Sequence, residues 1–358
     1  LKRRSNAHRV NINTDFVLLS QPESRALAQA LVRYAPDAVL DTHESAVLKR
    51  ETLVREGYLT DFDAQFEVAN NPALPAGVQA YALRALLPAL VARVSAAGLP
   101  AQRYVGEITS TRQAITNGGL TLRNFRNMAG LSGALSVLVE TKLDPHHDAF
   151  LSYRNIAARV DRQRLCIRSF LAEVQARRAA IRARVAAARA APPPPRELTL
   201  FAAYAPDPAH PTVTVPLRRL DTRQRESLRF PDHRRQVRSD TVPYPASLIV
   251  TRHTDALREL LDRHGVRYAI EDAARRVEVD ALRYTARPPL AGQAALEPAE
   301  RKTLTVRAGS LRVDLAQPAG RLALLLLDPR SISSVFRYPE YARWVAPGDE
   351  FFVYHAVH

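Results

Sequence analysis

The chain has 358 residues, of which 46% are hydrophobic and 24% are charged. This composition fits a globular protein with a sizeable core and excludes a disordered chain. The length is about 2.4 times that of a typical domain, which predicts two domains. The single cysteine, Cys166, excludes an intrachain disulfide framework and a cysteine-rich zinc finger. The longest apolar run, residues 322–327, is too short for a membrane span.

The net charge of +15 raises the question of a nucleic-acid partner. Proteins that bind nucleic acid usually concentrate basic residues on one face and interleave them with aromatic side chains. Here the basic residues run along the whole chain, and the densest stretch, 154–189, contains almost no aromatic residues. We therefore expect no nucleic-acid partner, and we interpret the charge as a solvated surface.

The first half of the chain alternates helical and strand patterns. Helices are predicted at 22–33, with Ser20 as a possible N-cap, at 78–96 and over 150–190. Short buried strands are predicted at 38–40 and 135–139. Helices between short apolar strands indicate an α/β sheet that is covered on both faces.

Four consecutive prolines at 192–195 then interrupt the pattern and predict a stiff linker. Beyond them, strands are predicted at 198–204, 212–217, 247–250, 266–270, 277–284, 303–307, 311–315 and 322–327. One helix is predicted at 254–264, because Gly265 follows it at the position that favours a left-handed residue. The sequence thus predicts an α/β domain at 1–191, a linker at 192–196 and a β-rich domain at 197–358.

Two predicted strands lead into chemically useful side chains. The first continues into Asp41, Thr42, His43 and Glu44, and the second ends at Glu140. Ligands of open α/β sheets bind beyond the carboxyl ends of the strands. His43 is therefore a candidate metal ligand and Glu140 a candidate general base. A glutamate at the end of a strand also commonly caps a helix or pairs with an arginine, so a structural role stays open.

Four segments occur in an order that is typical of one enzyme family. They are Arg4-Ser5-Asn6-Ala7, Asn11-Ile12-Asn13-Thr14-Asp15, Asp41-Thr42-His43-Glu44, and the strand that ends in Glu140-Thr141. This set resembles the zinc carboxypeptidases, in particular bacterial members with a C-terminal accessory domain. The resemblance implies a mixed, mostly parallel sheet flanked by helices, followed by a β-rich C-terminal domain. It also implies that the protein is a metallopeptidase that cleaves peptide substrates. By the same resemblance, we expect the protein to be periplasmic or secreted.

The resemblance also implies roles for single residues. His43 would be the third ligand of a Zn²⁺ ion, and Glu140 would take a proton from the water on that ion. Arg4, or Arg3 beside it, would polarise the scissile carbonyl group, and Asn13 would hold the terminal carboxylate of the substrate. Asp41 would either orient the His43 ring or cap a turn.

The chain departs from the family pattern in two places. The family's first two zinc ligands come from a His-x-x-Glu motif, which occurs nowhere in this sequence. We expect the chain to begin inside the catalytic domain, with these ligands upstream, and a metal-free relative is the alternative. Thr14 occupies the place of an arginine that binds the terminal carboxylate, so Arg126 is the candidate replacement, with Arg123 or Arg112 as alternatives.

Three functions follow from these observations. The first is a zinc-dependent carboxypeptidase-like hydrolase. The second is an amidohydrolase of acylated amino acids or cell-wall peptides, which the exchange at Thr14 suggests. The third is an inactive pseudopeptidase that serves as a binding module, which the missing zinc ligands suggest. The sequence leaves the oligomeric state open.

Overall fold

The computed structural model describes residues 5–45, 53–143, 156–190, 196–286 and 292–357. Within these residues the helices are α1 (Pro22–Tyr34), α2 (Ala76–Tyr81), α3 (Leu87–Ala96), α4 (Phe125–Leu131), α5 (Ile156–Ala176), α6 (Arg178–Arg189), α7 (Thr254–Arg263), α8 (Gly320–Leu327) and α9 (Pro339–Ala342). A π-helical stretch, Ala82–Leu86, joins α2 to α3.

The strands of the first half are β1 (Ala38–Ser45), β2 (Tyr58–Thr60), β3 (Ala64–Val68), β4 (Ala101–Arg103) and β5 (Leu135–Lys142). Those of the second half are β6 (Glu197–Ala205), β7 (Thr212–Arg219), β8 (Arg225–Pro231), β9 (Arg235–Pro243), β10 (Ser247–Val250), β11 (Ala269–Ile270), β12 (Arg275–Ala281), β13 (Glu300–Val306), β14 (Leu311–Asp314) and β15 (Val353–Ala356).

The sheet of the first half has the strand order β1-β5-β3-β4. The outer pairs β1–β5 and β3–β4 are parallel, whereas β3 and β5 are antiparallel. The second half adds antiparallel sheets, the largest of which has the order β11-β14-β10-β15-β12-β13. The predicted fold class, a mixed and mostly parallel sheet flanked by helices with a β-rich second half, is confirmed.

The two faces of the first sheet differ in polarity. Successive side chains of a strand point to opposite faces, and Phe66, Val137 and Val139 form one apolar face with residues of α3, α5 and α6. Cys166 of α5 is fully buried in this cluster. On the other face, alternation brings Gln65 of β3 beside Glu140 of β5. The polar face is therefore where chemistry can occur.

Residues before and after the prolines share structure. β2 of the first half pairs with β7 of the second half in a three-stranded sheet. One hydrophobic cluster contains Phe16 and Met128 together with Leu248 and Phe336. Residues 191–195, which include most of the predicted linker, lie outside the described residues. The predicted division into two domains stays a prediction.

Two local predictions are wrong. Residues 322–327 form helix α8 and not a strand. A short apolar run has no periodicity that separates a buried strand from a buried helix, and Leu324–Leu327 are fully buried on all sides. Ser20 does not cap α1, because the helix begins at Pro22 with Gln21 as its N-cap. The Asp15 carboxylate instead accepts the backbone N–H groups of Ser20 and Gln21.

None of the helices in the described ranges is long and apolar enough to cross a membrane.

Candidate active site

His43 and Glu140 lie side by side on the polar face of the first sheet. The parallel pairing of β1 with β5 puts these two residues at the same register position, so their side chains point to the same face. Both strands run further than predicted, to Ser45 and Lys142. The two candidates therefore stand within the last residues of their strands, where the backbone fixes their direction.

Asp41 holds the His43 ring. The two residues are two positions apart on β1, hence on one face, and His43 Nε2 lies 2.9 Å from Asp41 Oδ1. Metal-binding imidazoles usually make such a contact with a carboxylate, which holds the ring in place. The His43 side chain is 24% exposed, so its ring is within reach of a ligand.

Glu44 lies on the opposite, apolar face of the first sheet. Its carboxylate accepts a hydrogen bond of 2.7 Å from Nε of Arg159 on α5, the helix that covers the apolar side of the sheet. Glu44 thus points away from the His43 side, because neighbouring residues of a strand face opposite sides.

Gln65 links Glu140 to the segment after β4. Its Nε2 donates to Glu140 Oε2 at 3.2 Å, and its Oε1 accepts from the backbone N–H of Val105 at 3.0 Å. The Gln65 side chain is 2% exposed. Both ends of the amide are therefore used, which fixes the orientation of the Glu140 carboxylate.

Tyr104 lies between Glu140 and the start of α4. Burial, and next the negative charge of Glu140, raise the pKa of Tyr104, so its phenol stays protonated. Its ring approaches Gly118, where an added Cβ would be 3.3 Å from Tyr104 Cε1 and 3.6 Å from Arg126 Nη2. Gly118 also has a φ of +79°, which disfavours any side chain there.

Arg126 is a buried cation on α4. Its Nη2 donates to Asn70 Oδ1 at 3.1 Å and has longer contacts, of 3.5 Å, with the carbonyl oxygens of Asn117 and Gly119. The residue is 3% exposed, and neither its Nε nor its Nη1 has a hydrogen-bond partner in the described structure. Two buried donor nitrogens without acceptors are costly, and a bound carboxylate would satisfy one of them.

An ion pair with a buried carboxylate lies on the same face. Glu67, two positions after Gln65 on β3, accepts a hydrogen bond of 2.9 Å from Nε of Arg103. Glu67 is almost fully buried, and the positive charge of Arg103 compensates the negative charge of its carboxylate. The polar face thus offers carboxylates, an imidazole and a buried guanidinium within one region.

The remaining predicted residues are in two places. Arg4 lies outside the described residues. Asn13 belongs to a short 3₁₀ helix, Ile12–Thr14, in which Thr14 Oγ1 donates to Asn11 O at 3.0 Å. The end of this segment contacts the start of α4, since the Phe16 N–H donates to Arg123 O at 3.2 Å. The substrate contact of Asn13 stays a prediction.

A zinc ion needs at least three protein ligands. No group of three or more histidine, cysteine, aspartate or glutamate side chains that could hold a metal occurs among the residues that the structure describes. His43, with Asp41 behind it, has the geometry of one ligand. The described residues therefore do not form a zinc site by themselves.

Gln65, Tyr104 and Asn70 were missed by sequence reasoning. The strand that carries Gln65 was not predicted, although polar and apolar residues alternate in Ala64–Val68. That alternation is a usable strand signal. Tyr104 and Asn70 have no such signal, because their positions near Arg126 depend on how β3, β4 and α4 pack.

The comparisons with known proteins give one partial likeness. The chain is 26% identical over 132 residues to a protein named probable carboxypeptidase 2 from Arthroderma benhamiae, and the match covers 36% of this chain. The matched segment spans 25% of that relative's length. No family model and no solved structure matches the chain. The sequence is thus similar, over about a third of its length, to a protein named as a probable carboxypeptidase.

Proposed function

We propose that the protein is a carboxypeptidase-like hydrolase that cleaves peptide bonds, with Glu140 as the general base. One arrangement carries the proposal: His43, held by Asp41 at 2.9 Å, and Glu140 are paired positions of two adjacent parallel strands. An oriented carboxylate next to an oriented imidazole is suited to proton transfer at a polarised water. The partial likeness to a carboxypeptidase supports the same class of reaction.

In this proposal the chain's own residues bind, orient and move protons. Glu140 takes the proton from the attacking water and passes it to the leaving amine, while Gln65 keeps its carboxylate in place. Arg126 receives the terminal carboxylate of the substrate on one of its two nitrogens without partners, Nε or Nη1. Asn13 assists Arg126 at that carboxylate, and Arg4 polarises the scissile carbonyl group.

The proposed cofactor is Zn²⁺, with His43 as one ligand. Its other ligands would have to come from outside the described residues. We also propose that the protein is periplasmic or secreted, for which the support is the resemblance to exported bacterial carboxypeptidases.

A binding module without catalysis is the second candidate. The observation that favours it is that the described residues offer a metal one imidazole and no group of three ligands. Such a module would bind peptides at the same polar face and release them unchanged.

Replacement of Glu140 by glutamine tests the proposal. The variant Glu140→Gln keeps an oxygen for the Gln65 amide but cannot accept a proton, so kcat on a peptide substrate should fall by about 10²–10⁴-fold. The matched control is Glu44→Gln, which removes a carboxylate on the opposite, apolar face of the same sheet and should keep kcat within about twofold of wild type.

The assay uses the protein as its own organism makes it, supplied with Zn²⁺. Equal kcat values for wild type and Glu140→Gln would exclude Glu140 as the base. Peptide binding without turnover in the wild-type protein would favour the binding module instead.

A further inference from the structure

Asn70 connects Arg126 to several parts of the chain. It follows β3 and is 3% exposed. Its Oδ1 accepts from Arg126 Nη2 at 3.1 Å, and its Nδ2 donates to Asn117 O and to Tyr204 Oη, both at 2.9 Å. Because the Nδ2 group is committed to two acceptors, Oδ1 has to face the guanidinium group. Asn70 therefore fixes one end of Arg126.

The second half of the chain holds Asn70 from two adjacent positions. The hydroxyl group of Tyr204 on β6 accepts a hydrogen bond from the Asn70 amide and donates one of 2.8 Å to Gly118 O. Its cross-strand partner on β9, Gln236, donates its Nε2 to Asn70 O at 2.8 Å. Burial raises the pKa of Tyr204, so the phenol remains a donor. Both contacts cross from the β-rich half into the candidate active site.

The environment of Arg126 points to an anion. Its guanidinium is buried, contacts only neutral oxygen atoms, and forms no salt bridge within the described ranges. A buried charge without a counter-ion is costly. A ligand carboxylate would compensate the charge and accept from one of the two nitrogens without a partner, Nε or Nη1. Binding needs a local movement of the residues around Arg126, because that residue is 3% exposed.

We infer that Tyr204 is a positioning residue for Arg126, and that the β-rich second half thereby completes the carboxylate-binding part of the site. This inference rests on the proposed function. Tyr204 acts through Asn70 and the Gly118 carbonyl and does not touch the substrate. It sets the preference for substrates with a free terminal carboxylate over substrates with an amidated C-terminus.

The test compares one peptide in two forms, with a free and with an amidated C-terminus. Tyr204→Phe removes only the hydroxyl, which frees the Asn70 amide and the Gly118 carbonyl. We expect kcat/KM for the free acid to fall about 10-fold, mainly through KM, with kcat/KM for the amide unchanged. Arg126→Gln should remove the preference for the free acid completely.

The matched control is Tyr284→Phe. Tyr284 is also a buried tyrosine of the second half, but its hydroxyl has no hydrogen-bond partner among the described residues. Its replacement should leave the ratio of the two kcat/KM values at the wild-type level. A loss of folded protein would lower the rates for both substrates equally and leave the ratio unchanged, and thermal unfolding of both variants measures that loss.

Two outcomes contradict the inference in different ways. If Arg126→Gln removes the free-acid preference while Tyr204→Phe keeps it, the positioning role is wrong and the proposed function stands. If the wild-type protein has no free-acid preference, or keeps it in Arg126→Gln, the proposed role of Arg126 fails and the inference fails with it.

Discussion

At the scale of residues, the candidate site depends on side chains that hold one another in place. Asp41 fixes the His43 ring, Gln65 fixes the Glu140 carboxylate, and Asn70 fixes Arg126. Each fixing residue is an amide or carboxylate that is mostly or fully buried. Such contacts keep the reacting groups oriented before a substrate arrives, which lowers the cost of orienting them during the reaction.

Gln65 offers a direct test of this arrangement. Gln65→Leu removes the hydrogen bond to Glu140 and leaves the Val105 N–H without its acceptor. Because that N–H is buried, we expect the free energy of unfolding to fall by about 1–3 kcal/mol. Loss of the donor to Glu140 should also lower kcat several-fold. Urea unfolding and steady-state kinetics measure the two effects, and an unchanged kcat would show that Gln65 does not orient Glu140.

Sequence reasoning identified His43, Asp41 and Glu140 because each follows a buried apolar strand, a local signal. It could not identify Asn70 or Tyr204, which are 134 positions apart and meet through tertiary packing. The register of β1 against β5, which brings His43 beside Glu140, was likewise not readable from either strand alone. Local patterns thus predict candidate residues, and long-range packing decides which of them meet.

At the scale of elements, the close approach of α4 to the segment after β3 positions Arg126. Gly130 makes this approach possible, because an added Cβ would lie 2.5 Å from Ala69 Cβ and 3.1 Å from Leu74 Cδ2. Asn70 directly follows Ala69. The distance between α4 and this segment therefore sets the distance between Arg126 and Asn70.

Gly130→Ala should push α4 away from Ala69. We expect a loss of about 1–3 kcal/mol in the free energy of unfolding, as for other overpacked positions. The control is Gly77→Ala on α2, where nothing lies within 4 Å of the added Cβ. That change should be neutral or stabilise the helix by up to about 1 kcal/mol. Equal stabilities of the two variants would contradict the close packing of α4.

Sequence patterns missed these elements for two opposite physical reasons. Strands β8 and β9 are rich in arginine and mostly exposed, and several of their less exposed positions are polar, so no apolar alternation is visible in the sequence. Their pairing with β7 and β6 supplies the stability that their side chains do not. The prediction fails at helix α8 for the opposite reason. This helix is apolar on all sides, so its sequence shows no helical period of hydrophobic residues.

At the scale of the whole molecule, the two halves are joined by polar contacts as well as by a shared core. His264, at the end of α7, donates from Nε2 to the carbonyl oxygen of Val17 at 2.9 Å. The backbone N–H of Leu122 donates to Ser333 Oγ at 2.9 Å. We expect the candidate site to depend on the second half for this reason, and not only through Tyr204.

His264 makes the stability of this junction depend on pH. Burial lowers the pKa of His264 from 6.5 to about 4. The unfolded chain therefore takes up a proton below pH 6.5 that the folded protein refuses until about pH 4, so stability present above pH 6.5 is lost as the pH falls. Between pH 7.5 and pH 5 the wild-type protein should lose about 2 kcal/mol more than His264→Gln.

Urea unfolding followed by circular dichroism at the two pH values measures this difference. His210→Gln is the control, because His210 is exposed and its replacement should leave the pH dependence of wild type unchanged. An equal loss of stability in wild type and His264→Gln would contradict the buried, neutral state of His264.

The most direct measurement of the proposed function is the mass of the products released from a peptide. The protein, isolated from its own organism and supplied with Zn²⁺, is incubated with a peptide of mixed sequence, and the products are followed by mass spectrometry. We predict stepwise loss of single residues from the C-terminus, which stops in Glu140→Gln. Internal cleavage, or identical products from wild type and Glu140→Gln, would contradict a carboxypeptidase-like hydrolase that uses Glu140 as its base.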